Sequence, residues 1–260
     1  MCEFDMNACD PVDVVRQLDA TGVAQVANAV QWDWVIDSRA EIDRWLAAHG
    51  EKDHFVLSPQ DGHLESIHAF MASDSVRTFL DNVVRQRFPD RAHELAGTAV
   101  RIVAGPHADG DAWWFHYDAS VVTMVVPLFI PEAEPGRSGE LVGYFNKRPF
   151  RRSVAINILE KIVHQSATFR QRILQSLGRA GGPTVVDMNV GDVYLFWGYR
   201  SLHANMPIAS GQRRVTLLIH YGQPHAPSGT LAAAKRRCAA APTPRTSRPR
   251  RGRTNGRCWR

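Results

Sequence analysis

Residues 112–130 read AWWFHYDASVVTMVVPLFI. An aromatic cluster, a short polar step and a run of Val, Met, Leu and Phe interrupted by one Pro follow one another. The Val-rich run is apolar throughout and rich in β-branched residues, so it is predicted as a strand buried on both faces. Just before it stands His116-Tyr117-Asp118. Successive side chains of extended backbone alternate, so His116 and Asp118 point to one side while Tyr117 faces away. An imidazole and a carboxylate beside a buried strand need partners, because burying polar groups without them is costly. A divalent metal suits this nitrogen and oxygen pair. A second His from elsewhere would complete a facial triad that leaves coordination positions open.

The same texture continues on both sides of this stretch. TAVRIVAG (98–105), TVVDMNV (184–190), DVYLFWG (192–198) and RRVTLLIHYG (213–222) are short β-prone runs separated by Gly, Pro and Asp. One helical pattern interrupts them, AINILEKIVHQSATFRQRILQSLG at 155–178, with Gly178 as its stop. The N-terminal part is mostly helical instead. Asp10-Pro11 opens an amphipathic segment that stops at Gly22, and VAQVANAV (23–30) is a candidate strand. Ser38 with Glu41 resembles a capping box ahead of 42–50, and DSVRTFLDNVVRQRF (74–88) is a helix ended by Pro89. Helices first and strands afterwards predict a mainly β, α+β chain: a β-sandwich or jelly roll with flanking helices. We expect one domain over 1–225, helical over about 1–97 and jelly roll over about 98–225. Neither GxGxxG nor GxxxxGK[ST] is present, so a nucleotide-binding fold lacks its signal.

Charge and cysteine placement narrow the function classes. The chain has 31 Lys and Arg against 26 Asp and Glu, but ten of the basic residues and none of the acidic ones fall after position 225. The remaining 21 basic and 26 acidic groups leave residues 1–225 at −5. The body is mildly acidic, so nucleic acid is not its expected partner. The Pro- and Arg-rich segment 226–260 is expected to be a disordered basic tail. The four cysteines lie near the two ends, without a CxxC pair, and read as free thiols of a reducing compartment. No run of eighteen apolar residues and no signal-like N-terminal segment occur. No membrane association and a cytoplasmic location are therefore the expectation.

The second ligand is sought in GDVYLFWGYRSLHANMPIASGQRRVTLLIHYG (191–222), which reads as strand, loop, His203, loop and strand. His220 and His225 compete with His203 for the role. Arg213 and Arg214 open the last strand, about ten residues beyond His203, where a guanidinium fork could hold a carboxylate bidentately. Adjacent strand residues face opposite ways, so one of the two points inward.

HxD, a distant His in this setting and then PxxxGxR together resemble the Fe(II)- and 2-oxoglutarate-dependent oxygenases, the phytanoyl-CoA hydroxylase-like and prolyl hydroxylase-like branches above all. The matching region runs from about Thr98 to Gly222. The resemblance implies a double-stranded β-helix of cupin-like type, with Fe(II) held by His116, Asp118 and His203. It also implies 2-oxoglutarate, O2 and ascorbate, the last as a reductant. Prolyl hydroxylase-like spacing selects Arg213 for the cosubstrate carboxylate, the slightly favoured choice because Gly211-x-Arg213 also fits. Phytanoyl-like spacing selects Arg214 with Thr216, and Thr123 is a further candidate near the cosubstrate. The implied activity is a dioxygenase that hydroxylates a small-molecule metabolite or natural-product intermediate and releases succinate and CO2. Retention of Asp118 disfavours halogenation. The GSH turn of phytanoyl-like members is missing, which weakens analogy to fatty acyl-CoA. Trp113, Trp114, Trp197, Tyr199 and Arg101 are candidate pocket residues, with Arg200 and Asn205 flanking His203. Two other classes stay open: a cupin-like metalloenzyme without 2-oxoglutarate, and a non-catalytic jelly-roll binding protein.

Overall fold

The computed structural model describes residues 4–5, 10–59, 64–105, 112–149 and 167–224. Five α-helices occur there, α1 Pro11–Thr21, α2 Trp32–His49, α3 Glu65–Ala72, α4 Asp74–Arg87 and α5 Ala167–Ser176, with a 3-10 turn at Gly198–Arg200. The strands are β1 Val23–Val26, β2 His54–Leu57, β3 Ala92–Val103, β4 Val122–Phe129, β5 Leu141–Tyr144, β6 Thr184–Val186, β7 Val193–Phe196, β8 Leu202–Asn205 and β9 Arg214–Gln223. The expectations for residues 155–166, for His225 and for the basic tail lie outside the described residues.

Two antiparallel sheets make the core. The major sheet has the order β1-β7-β4-β9-β3-β2 and the minor one β6-β5-β8. One face of the major sheet, with Val122, Met124, Val126, Leu195, Val215, Leu217 and Ile219, packs against apolar residues of α1 to α4. Its other face, with Val125, Tyr194 and Phe196, packs against Leu141 and Val186 of the minor sheet. The far side of the minor sheet, with Val142, Leu202 and Ala204, is covered by Ile173 and Phe169 of α5. Sheet on sheet with helices outside is the double-stranded β-helix that the resemblance implied.

Helix ends follow the sequence closely where local chemistry decides them. Asp10 caps α1, its carboxylate accepting from the Val12 amide at 2.8 Å, and Gly22 closes it at φ +87°. The predicted capping box at Ser38 and Glu41 is corrected. α2 begins six residues before Ser38, at Trp32, so both residues lie inside it. The buried Glu41 carboxylate instead caps α3 in space, accepting from the Ser66 amide at 2.8 Å, the Ser66 hydroxyl at 2.5 Å and the Ile67 amide at 3.3 Å. Exposed caps and buried carboxylates use the same chemistry, but only the first is local in sequence.

The division into helices first and strands afterwards also needs correction. β1 pairs with β7 and β2 with β3, so the N-terminal part supplies both edge strands of the major sheet. β5 and β8 are strands the sequence pattern did not show, because each is four residues long and contains Gly143 or polar residues. His203 therefore lies on strand β8, not in a loop. Residues 112–118 form no regular strand and meet β8 through the bridge of His116 to His203 and through the Trp113 amide, which donates to Asn205 O at 2.9 Å.

Glu41 generates a prediction. Glu41→Ala leaves the first amides of α3 unsatisfied in a buried position, which costs roughly 1–3 kcal/mol. Urea unfolding should show a lower midpoint with an unchanged slope. A midpoint equal to that of the wild type would count against the cap.

Candidate metal centre

The site forms where residues 112–118 meet β8. His116 and His203 exchange both backbone hydrogen bonds, His116 N–H to His203 O at 2.9 Å and His203 N–H to His116 O at 3.0 Å. Their imidazoles therefore leave the backbone side by side, with ring centroids 4.4 Å apart. The Asp118 amide donates to Gly198 O at 3.2 Å, which fixes the carboxylate next to both rings. Gly143 lies opposite His203 on β5, where a Cβ would stand 2.4 Å from Leu202 O, so this close approach requires glycine.

Nε2 of His116 lies 3.6 Å from Asp118 Oδ1, and Nε2 of His203 lies 3.7 Å from Asp118 Oδ2. One donor atom from each residue can be chosen so that all three lie within 4.8 Å of one another. The Nδ1 atoms are already committed, His116 to Trp114 O at 2.9 Å and His203 to Ser201 O at 3.1 Å. A carbonyl only accepts, so each Nδ1 carries the proton and each Nε2 presents a lone pair to the common point. Two imidazole nitrogens and a carboxylate oxygen form the donor set that suits Fe(II), and these residues fit it. The His116 side chain is 43% exposed while the other two are 8% exposed, so the centre opens to solvent on one side.

The electrostatics agree with that role. Burial opposes ionisation of Asp118, but His203, His220, His116 and the Thr123 hydroxyl outweigh it and hold the carboxyl well below the usual range. Burial pushes His203 down to about 4, against the opposing pull of Asp118. Both groups are thus in the protonation state a metal requires.

The remaining candidates separate by strand face. Arg214, Thr216, Leu218 and His220 alternate with Val215, Leu217, Ile219 and Tyr221 along β9. The second set belongs to the core beneath the helices, so the first set faces the minor sheet. The preference for Arg213 is corrected here. It precedes the strand on the helix side, pairs with Asp43 of α2 at 2.6 Å and lies 4.1 Å over the Phe129 ring. Arg214 points inward and is 2% exposed. Its Nη2 donates to Asn205 Oδ1 at 3.1 Å and its Nη1 to Thr216 Oγ1 at 3.4 Å, while Nε has no partner. Among the described residues no carboxylate pairs with it. Burial and the nearby Arg101 depress its pKa to about 9, which leaves it charged at neutral pH. It borders a small recess of about 20 Å³, shared with Arg101, Asn205, Met206 and Ile208.

Thr123 donates to Asp118 Oδ2 at 2.5 Å. His220, weighed as a metal ligand, stands behind the carboxylate with Nδ1 3.8 Å from the same oxygen. Trp197 is buried against Phe88 on the helix side, whereas Trp114 is half exposed beside His116. Asn205 serves Arg214, not His203, and Arg101 pairs with Asp53 at 3.2 Å. Ser120 and Gly198 were missed. Ser120 reaches Thr123 locally, three residues away, whereas Gly198 is brought to it by the pairing of β4 with β7.

Two expectations follow. A Cβ on Gly198 would stand 2.5 Å from Thr123 Oγ1 and 2.8 Å from Ser120 Oγ. Gly198→Ala should therefore lower unfolding stability by roughly 1–3 kcal/mol through overpacking, readable by calorimetry, and unchanged stability would refute the contact. The depressed His203 pKa means that the unfolded chain takes up this proton first as pH falls. Its contribution is complete above about 6.5 and is lost as pH drops toward about 4. Urea stability of metal-free protein should fall over that window, with a shallower decline in His203→Gln.

No protein-family model matches the sequence, and no curated protein matches it. Solved structures do. A Pseudomonas putida prolyl-4-hydroxylase is 15% identical with a TM-score of 0.54, over 82% of this chain and 99% of that one. HygX from Streptomyces hygroscopicus, solved with nickel and 2-oxoglutarate bound, is 12% identical with a TM-score of 0.57, over 81% and 86%. The epimerase SnoN, in complex with Fe3+, alpha ketoglutarate and nogalamycin RO, is 14% identical with a TM-score of 0.58, over 82% and 83%. The chain has the double-stranded β-helix fold of the Fe(II)- and 2-oxoglutarate-dependent oxygenases.

Proposed function

We propose that this chain is an Fe(II)- and 2-oxoglutarate-dependent dioxygenase that hydroxylates a small molecule, with His116, Asp118 and His203 as the metal ligands. The observation that carries this reading is the placement of Arg214. A buried guanidinium with an unpartnered Nε and, among the described residues, no carboxylate in ion-pair contact faces the same interior as His203 and Asn205, with buried Glu140 acting on it only at longer range. Leaving such a group without an anionic partner is costly, and a dicarboxylate that reaches from a metal toward β9 would supply one. HygX and SnoN, which share the fold, were solved with 2-oxoglutarate.

Iron and 2-oxoglutarate together supply activation of O2, with succinate and CO2 as co-products. The protein's residues do the rest. His116 and His203 present Nε2 lone pairs because their Nδ1 protons are held by Trp114 O and Ser201 O. Asp118 stays ionised and contributes the third donor. Arg214 binds the distal carboxylate of the cosubstrate, with Thr216 and Asn205 fixing the plane of its fork. Apolar Leu141, Tyr194 and Phe196 keep water from the sheet interior behind the site. The open side at His116 and Trp114 admits the substrate. We take residues 1–225 as one oxygenase domain and the basic segment after it as an extension.

Anaerobic titration with Fe(II) and 2-oxoglutarate should give a weak visible charge-transfer band that His116→Ala abolishes. Arg214→Met should weaken 2-oxoglutarate binding by roughly 10–1000-fold, as expected when a charge-assisted pair is lost. Its metal affinity should be unchanged, and Arg213→Ala should match wild type. Bound iron with no band would move the assignment to an enzyme that does not use 2-oxoglutarate.

A further inference from the structure

The hydroxyl of Thr123 has one proton, and the carboxylate of Asp118 can only accept. The 2.5 Å contact between them therefore runs from Thr123 Oγ1 to Asp118 Oδ2. Two further groups reach the same Thr123 oxygen, His220 Nδ1 at 3.2 Å and Ser120 Oγ at 3.1 Å. Its proton is already committed, so each must donate to it if it bonds at all. His220 Nδ1 also lies 3.3 Å from Ser120 Oγ, which closes a compact polar cluster directly behind the carboxylate.

Strand pairing builds this cluster. Thr123 stands opposite His220 across β4 and β9 and opposite Phe196 across β4 and β7, all on the face toward the minor sheet. The space where a side chain at position 198 would stand is filled by the hydroxyls of Thr123 and Ser120. Thr123 and Ser120 are buried, and His220 is partly so. Hydroxyls in such a place lack water and must find their partners within the protein.

We propose that His220 and Thr123 are a positioning pair that ties down Oδ2 of Asp118, so that the carboxylate offers a metal one oxygen, Oδ1. The proposal rests on the reading of His116, Asp118 and His203 as a metal centre. A carboxylate free to turn can chelate with both oxygens and occupy a position that cosubstrate or oxygen would otherwise use. A donor chain from His220 through Thr123 to Oδ2 competes with that second bond and keeps the site open. This makes Thr123 a support of the metal ligand and His220 a donor to that support.

Co(II) titration of the full chain tests this, reading both affinity and the visible d–d spectrum, with circular dichroism to show that each variant is folded. Thr123→Val should weaken Co(II) binding roughly 10–100-fold, the usual loss when a group supporting a metal ligand is removed, and should change the spectrum. Thr123→Ser, which restores the hydroxyl, should return both toward wild type. His220→Asn, whose carboxamide can still donate, should bind more tightly than His220→Leu. Folded Thr123→Val with wild-type affinity and spectrum overturns the pair and leaves the metal centre standing. If that variant does not fold, equal wild-type-like behaviour of His220→Asn and His220→Leu overturns it instead. Failure of the wild type to bind Co(II) overturns the metal centre and the pair together.

Discussion

The register of β9 between β3 and β4 is the constraint on which the rest depends. Thr216 faces Arg101 on one side and Pro127 on the other, and His220 faces Gly97 and Thr123. A slip of one residue would turn Arg214, Thr216 and His220 into the helix-side core and send Val215, Leu217 and Ile219 toward the site. The apolar set is buried completely, so this slip is prevented by the burial of several large side chains. The helix-side core thereby sets the geometry of the polar site on the opposite face of the sheet.

That site places charge where the surrounding chain is apolar, and each charge has a different form of compensation. Asp118 has three imidazoles and a hydroxyl about it. Arg101 has Asp53 and the carbonyls of His54 and Ile102. Arg214 has only neutral acceptors, a carboxamide, a hydroxyl and a thioether. Gly139 secures the approach, since a Cβ there would stand 2.3 Å from Arg214 Cδ. Backbone without a side chain thus makes room for a cation that has no carboxylate in direct contact among the described residues, with Glu140 acting only at longer range. The contrast with Arg101 separates a structural arginine from one available to a ligand.

The two sheets share the work unequally. β4, β7 and β9 carry the supporting groups, whereas β8 and the irregular segment 112–118 carry the metal-facing ones. His203 is held from both directions, by the bridge to His116 and by Phe196, whose ring centroid lies 4.5 Å away. Among the described residues no helix is long and apolar enough to cross a membrane. The helices cover the outer face of the major sheet and the far side of the minor one. None of them supplies a candidate ligand.

Local sequence determined the pieces whose physics is local. Alternation in extended backbone placed His116 and Asp118 on one side, Asp10 and Gly22 bounded α1, and the Val-rich run at 122–129 could only be a buried strand. The order of HxD, distant His and Arg was enough to suggest the fold. Tertiary structure decided which of two adjacent arginines faces inward, because that depends on where β9 begins and on Asp43, far away in sequence, drawing Arg213 outward. It also decided that His220 stands behind Asp118, and that Glu41 caps a helix other than its own. These contacts join residues 25 or more positions apart, and at that distance only the packing of sheets and helices, not the alternation of neighbouring side chains, brings two groups together.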